Sequence, residues 1–335
     1  MTGSGSNTSA ASSIPAPVGA VVAVGGGHGL AASLRAIRTY AASVTAVVSV
    51  ADDGGSSGRL REEFPILPAP GDARRCLGAL AATDSQLGLE LEHRFGPESG
   101  SLSGHAYGNL LLAALTFGLG SFQAALAEVG RMTGAVGVVL PATDGPVQLT
   151  GQAVDAGDGA KRVVGQVAVA RAIGRRYVAL EPADATSPPQ VRESILAADQ
   201  VVIGPGSLFT SVLAAAIVPE VRRALHDTSA QRVYVANLAP QVPETAGFSL
   251  GDHLDVLSAH DIPVDIVLAP TRSGPDSTGE DLGSSTGRWT TVERSLAMPG
   301  GGEHDPALLA VALSEVAALG RPEAPAAFAA PREVN

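Results

Sequence analysis

Apolar positions in this chain fall into short unbroken runs separated by stretches of helical spacing. Val18 to Val24 is one such run, and it ends in Gly25-Gly26-Gly27-His28-Gly29. Leu30, Leu34 and Ile37 then recur on one helix face, predicting a helix over 30–40, and Val44 to Ala51 is the next apolar run. Strand, glycine turn, helix, strand is a βαβ unit. Its parallel strands are covered on both faces and therefore read as continuous apolar runs. The pattern returns later, with a helix over 189–198, a strand at 200–203, a helix over 208–216, a strand at 232–235, a helix over 249–260 and a strand at 262–269. Between these halves, 65–70 reads as a turn-rich loop, and helices are predicted over 74–83, 104–119 and 122–132. The helix over 104–119 is so apolar that it is expected to be buried. Val136 to Leu140, Val147 to Leu149, Arg162 to Val169 and Tyr177 to Leu180 alternate like a smaller β-rich insertion at about 134–182. A terminal helix is expected over 306–319. No repeat of 20–50 residues is visible. Strands alternating with helices predict an α/β fold with a parallel, doubly wound sheet.

Composition narrows this picture. The chain has 335 residues, 45% hydrophobic and only 4% aromatic, with 40 glycines and a mean hydropathy of +0.21, which suits a Val/Ala/Leu-rich sheet under helices. A formal net charge of −11 argues against nucleic acid as a partner. Cys76 is the single cysteine, so no internal disulfide forms, which is compatible with a reducing cytosol. No window reaches roughly 18 uninterrupted apolar residues, so no membrane span is expected. Residues 1–17 and 321–335 are low in complexity and read as disordered tails, without the basic and apolar regions of a signal peptide. Residues 273–288, rich in Gly, Ser, Thr and Asp, read as a mobile loop.

The candidate chemistry lies where apolar runs end. Gly27, Gly29 and Ala32 form a GxGxxA turn whose amides can approach a diphosphate at a helix N-terminus; no Lys-Ser/Thr follows, so it is not a Walker A loop. Val44 to Ala51 runs into Asp52-Asp53-Gly54-Gly55-Ser56-Ser57-Gly58-Arg59, a loop that combines ribose or metal acceptors, phosphate-facing amides and a cation. Asp52 follows Gly27 by 25 positions, near the interval at which a dinucleotide fold places its ribose-binding acid. The two aspartates equally suit Mg²⁺, which takes carboxylates plus substrate phosphates. Asp72, Arg74 and Arg75 open a helix, where cations are disfavoured by the dipole and so point to an anion. His105 and Asn109 open the most apolar helix. Gly204, Gly206 and Ser207 offer a second anion nest, and Asn237, Glu244 and Thr245 follow another strand. Loops at strand ends in an open α/β sheet converge on one crevice. No zinc-ligand spacing, G-x-S-x-G elbow or nucleophile–base pair is recognisable, and Cys76 reads as a core residue.

At these motifs the chain resembles the YvcK family of bacterial gluconeogenesis factors, related to CofD-type phospholactate transferases. The resemblance runs through Gly25 to Leu30, Val50 to Arg61, Pro70 to Leu77, Gly104 to Leu115, Gly204 to Ser211, Tyr234 to Leu238, Glu244-Thr245, Asp252-His253 and His304 to Pro306. It implies a three-layer αβα sandwich with a Rossmann-like sheet, one CofD-like domain over 18–320, and a cytoplasmic protein that binds a UDP-sugar such as UDP-N-acetylglucosamine. It implies a non-enzymatic regulator of cell shape, peptidoglycan synthesis and gluconeogenic growth, with a cell-wall regulatory protein and a homo-oligomer among its partners. The alternative it carries is a Mg²⁺-dependent phospholactyl transferase acting on a deazaflavin. The chain departs from the family's pattern at His28, where Thr is common, at Ala239, Pro240 and Pro243, and at Glu303, where Arg is frequent.

Overall fold

A computed structural model describes residues 18–155, 159–172, 176–271 and 289–321. The expected tails and the 273–288 loop fall outside the described residues, save Arg321. The chain begins with β1 (Val18–Gly25), α1 (Gly27–Ile37), β2 (Ala41–Val48), α2 (Gly55–Glu63), α3 (Gly71–Leu80) and α4 (Gln86–Glu90). A 3₁₀ turn (Pro97–Leu102) leads into α5 (Tyr107–Leu119), α6 (Phe122–Thr133) and β3 (Val138–Pro141). β4 (Gln148–Asp155), β5 (Gly159–Val164), α7 (Gln166–Arg171) and β6 (Arg176–Glu181) follow. Next come α8 (Pro189–Leu196), β7 (Gln200–Ile203), a π-helical turn (Leu208–Leu213) continuing into α9 (Ala214–Ala216), α10 (Pro219–Asp227) and β8 (Gln231–Val235). The described chain closes with α11 (Leu250–Ala259), β9 (Ile266–Pro270), β10 (Thr290–Arg294) and α12 (Pro306–Ala318).

Seven parallel strands form one sheet in the order β10-β9-β8-β7-β1-β2-β3. Its central strands are fully buried: Val21 to Val24, Ala46 to Val48, Val201 to Ile203 and Val233 to Val235. Helices flank it. α1 buries Leu30, Leu34 and Ile37 and packs against α3 and α12, while α10 packs against α8 and α9. From β1 the chain builds outward through β2 and β3, then returns to the other side of β1 with β7. The order therefore reverses between β1 and β7, which is where open α/β sheets hold ligands. The second sheet, β5-β4-β6, is antiparallel. It is tied to the main body by His260 at the end of α11. The His260 Nε2 accepts from the Val178 amide at 2.9 Å, and its ring stacks on Tyr177 with centroids 4.6 Å apart.

Several elements differ from the expectation, each for a local reason. The run Val136 to Leu140 does not belong to the insertion. β3 adds to the main sheet beside β2, its Val139 and Leu140 buried and Val138 exposed at the edge. The run Arg162 to Val169 splits at Gly165, whose φ of 100° breaks the strand, and continues as α7. Residues 55–63 are helix rather than loop, because Gly54 in extended backbone starts a turn that Leu60 anchors in a small cluster with Leu67 and Ala113. The apolar α5 is only half buried: Phe117 is 46% and Leu119 51% exposed. It packs chiefly on α6, with α2 and α3. α4, α10 and β10 are additional to the expected elements.

At the far end of the sheet, Arg232 on β8 donates through Nε and Nη2 to the two carboxylate oxygens of Asp265, whose Oδ2 also takes the Arg232 amide at 2.9 Å. Both side chains are about one-tenth exposed. Removing one partner leaves a nearly buried charge, so Asp265→Ala is expected to destabilise the fold by about 3 kcal/mol. Denaturant unfolding monitored by circular dichroism checks it; a change under about 0.5 kcal/mol counts against the pair as a tie between β8 and β9.

Candidate functional site

The loops after β1, β2 and β7 meet at the reversal point of the sheet. Each launches a helix, so the N-termini of α1, α2 and the π-helical turn, joined by that of α3, face a shared cavity of about 340 Å³. The amides of α1, α2 and α3 not used within those helices give this space a positive field suited to an anion. Close approach is built in by glycine. A side chain at Gly29 would run into the Pro205 carbonyl, so the first and third glycine loops touch only because that position is bare. Gly27, Gly54, Gly55, Ser56, Ser57 and Ser207 line the cavity through these turns.

The floor carries buried charge. Arg74, on the first turn of α3, is 1% exposed. It donates to Glu92 at 2.8 Å and to Asn109 Oδ1 at 3.4 Å, and its Nε is buried without a partner. Burial holds the guanidinium below its usual range, with Glu92 opposing. Arg75 also lines the cavity, donates to Asp72 at 2.9 Å, and likewise has a buried Nε without a partner. Asp72 is itself buried. Burial first, then the Asp52 charge, push its carboxyl from 3.8 up to about 6, against the pull of Arg75 and the Gly27 amide.

The adjacent aspartates part company. Asp52 lines the cavity, accepts from the Gly54 amide at 2.9 Å and acts electrostatically on Asp72. Asp53 lies in an adjoining cavity and accepts the Val167 amide at 2.9 Å, capping α7 of the insertion. The acidic pair that the cavity brings together is therefore Asp52 with Asp72, not Asp52 with Asp53. Among the described residues no cluster of three or more His, Cys, Asp or Glu side chains has metal-ligating geometry.

Other expected site residues support the walls. Asn237 grips Gly206 from both sides, accepting its amide at 3.0 Å and donating to its carbonyl at 2.9 Å. Glu244 is 5% exposed and accepts the Phe209 and Thr210 amides at 3.0 Å, which caps the π-helical turn. Thr245 is fully buried, its hydroxyl accepting from the Gln241 amide. Asn237 holds the Gly204–Ser207 loop, Glu244 holds the turn that follows it, and Thr245 braces its own 241–245 loop; none of the three lines the cavity. Gly25 and Gly26 are buried behind it, a side chain at Gly26 meeting Asp72. Ser56 Oγ accepts from the Ala106 amide and Asn109 Nδ2 and donates to His105 Nδ1. Burial, then Arg59, hold His105 below its usual range, and its bond to Ser56 pins the 103–106 turn. His28 stands on the outer side of α1's first turn, lowered by partial burial and by Arg75, with Glu92 and Glu303 opposing. Arg59 lines the adjoining cavity. Arg94, Gln166, Thr210 and Ser211 line the main cavity without having been singled out from the sequence. Thr210 and Ser211 fall inside the Gly204 to Ser211 stretch. Gln166 was hidden by reading its segment as strand, and Arg94 carries no motif.

A family model described as "2-phospho-L-lactate transferase CofD" matches residues 21–284. A protein of Mycobacterium tuberculosis named "Putative gluconeogenesis factor" is 45% identical over 325 residues, covering 92% of this chain and 93% of that protein. The "Gluconeogenesis factor" of Halalkalibacterium halodurans is 42% identical over 242 residues, 72% of this chain and 73% of that protein. A crystal structure of a UPF0052 family member from Bacillus halodurans superposes with a TM-score of 0.80 at 35% identity, covering 90% of this chain and 99% of its own. The family model spans β1 to β9, the glycine turns and the Asp52–Arg61 segment together, and the chain belongs to the YvcK gluconeogenesis-factor group of the CofD-like family.

Proposed function

We propose that the cavity at the sheet reversal binds the diphosphate of a nucleotide ester, a UDP-sugar such as UDP-N-acetylglucosamine, and that the chain acts as a cytoplasmic binding regulator of cell-wall growth and gluconeogenic metabolism. The observation that carries this reading is Arg74. A guanidinium with 1% exposure and an unpaired Nε, set beside the N-termini of α1, α2 and α3, is costly unless an anion completes its hydrogen bonds. Asp52 stands beside the glycine turns, where a ribose or a phosphate-bound cation would lie. The relatives' name supports a role in gluconeogenesis. Calorimetry is expected to show saturable binding of UDP-N-acetylglucosamine, weakened roughly tenfold or more by Arg75→Gln, since a charged hydrogen bond contributes about 1.5–3 kcal/mol. Folded protein that binds no UDP-sugar at millimolar concentration would overturn the reading.

A second reading draws on the Asp52–Asp72 pair and on the family model's name. The Asp52 charge helps to raise the proton affinity of Asp72, and a divalent cation held by the two carboxylates would relieve that repulsion. Asp52 and Asp72 would hold Mg²⁺, which supplies charge stabilisation to a transferring phosphoryl group. In that case Arg74 and Arg75 bind and orient the phosphates while the helix N-termini exclude water from them. Mg²⁺-dependent transfer of a phospholactyl group to a deazaflavin is the assay, and absence of product separates this reading from the first.

Asp72 yields a further prediction. An acid whose folded pKa lies above its unfolded one opposes folding once the unfolded chain ionises. The penalty appears between about pH 4 and pH 6, persists above, and for a rise of roughly two units amounts to about 3 kcal/mol. Asp72→Asn is therefore expected to raise the melting temperature at pH 7.5 and to leave it unchanged below pH 4. A variant less stable than the parent at pH 7.5 refutes the assignment of the strain to that carboxylate.

A further inference from the structure

A second cavity of about 500 Å³ opens beside the first, sharing Gly55, Ser56 and Arg94 with it. Two guanidiniums stand at it, and adjacent carbonyls hold both. Arg59 Nη2 donates to the Ser103 carbonyl at 2.8 Å, and Arg94 Nη1 donates to the Gly104 carbonyl at 3.0 Å. Gly104 has a φ of 76°, which lets the turn present the two carbonyls in succession. The turn is in turn locked to α2, because Ser56 Oγ accepts the Ala106 amide and bonds His105. Neither Arg59 nor Arg94 makes an ion pair with a carboxylate among the described residues, so each has donors to spare. The acids lining this cavity are Asp53, committed to the Val167 amide, and Glu62.

We propose that this cavity is a carboxylate-binding subsite, in which Arg59 and Arg94 receive a singly charged carboxylate lying beyond the diphosphate. The inference rests on the diphosphate reading of the larger cavity, since the shared Arg94 and Ser56 join the two spaces. Guanidinium suits carboxylate by its paired, planar donors. Two arginines set against Asp53 and Glu62 leave no excess positive charge, which favours a monoanion over a phosphate dianion. The carboxylate belongs either to the group esterified to the nucleotide or to a separate small acid bound alongside it.

Arg59 is exposed and outside the larger cavity, so Arg59→Gln tests the subsite without touching the diphosphate contacts. Titrations use UDP, UDP-glucose and UDP-glucuronic acid with the full chain, and free glucuronate with UDP-saturated protein. UDP-glucuronic acid is expected to bind roughly tenfold tighter than UDP-glucose, and Arg59→Gln to remove that difference while leaving UDP unchanged. Saturable glucuronate binding lost in Arg59→Gln assigns the subsite to a separate acid. The proposal is overturned if the two UDP-sugars bind alike and glucuronate does not bind, or if Arg59→Gln weakens UDP-glucose as much as UDP-glucuronic acid. Failure of UDP itself to bind points to the larger cavity instead, and the glucuronate titration without UDP still reads the smaller one.

Discussion

Removing a guanidinium from water costs several kcal/mol unless its donors are met, and Arg74 imposes that demand at the centre of this molecule. It sits on the first turn of α3, where the helix dipole also works against it. Glu92 and Asn109 meet part of the demand, each from a different side: Glu92 is half exposed on a loop, and Asn109 is buried in α5. α5 in turn is fixed to α2 by Ser56, which gathers Asn109, His105 and Ala106 around one hydroxyl. The helices around the cavity thus hold one another through polar contacts, and what remains unpaired, the Arg74 and Arg75 Nε atoms, belongs to two side chains that line that cavity.

The same economy explains residues that carry no contact with the cavity. A loop of glycines has no side chains with which to hold its shape, so the Gly204–Ser207 turn is held from outside. Asn237 closes a two-bond ring on Gly206, and Glu244 occupies amides of the π-helical turn that would otherwise compete for the ligand. Occupying those amides narrows the anion field to the remaining helix ends. Polar residues after a strand thus carry two different meanings, binding and bracing, and chain position alone does not separate them.

This is also the boundary of what the sequence discloses. The central βαβ units, the parallel sheet and the three glycine loops were legible because apolar runs ending in glycine occur where a buried strand must stop and turn. Which side of a loop a residue faces was not. Asp52 and Asp53 are neighbours in sequence, yet successive residues leaving a strand diverge, and their partners come from α3 and from the insertion. Arg94 reaches both cavities from a loop with no pattern of its own. α2 was hidden because its Gly-Ser-rich start resembles a loop, and α7 because its Val and Ala residues also suit a strand. β3 was assigned to the wrong sheet because an edge strand, exposed on one side, alternates like a strand of a small antiparallel sheet.

The divergence of the two aspartates bears on how the insertion relates to the site. Asp53 caps α7, and Gln166 at the start of α7 donates to the Thr210 carbonyl while lining the cavity. One segment of the insertion is therefore bonded to the loop after β2 and to the π-helical turn after β7, on either side of the sheet reversal. An anion that draws these two walls together tightens the seat of α7, and a change in α7 alters the cavity wall by the same contacts. Linkage requires such reciprocity of any two sites joined through one element. The small antiparallel sheet packs on α7 and is joined to α11 through His260, so the segment that lines the cavity is continuous with that sheet.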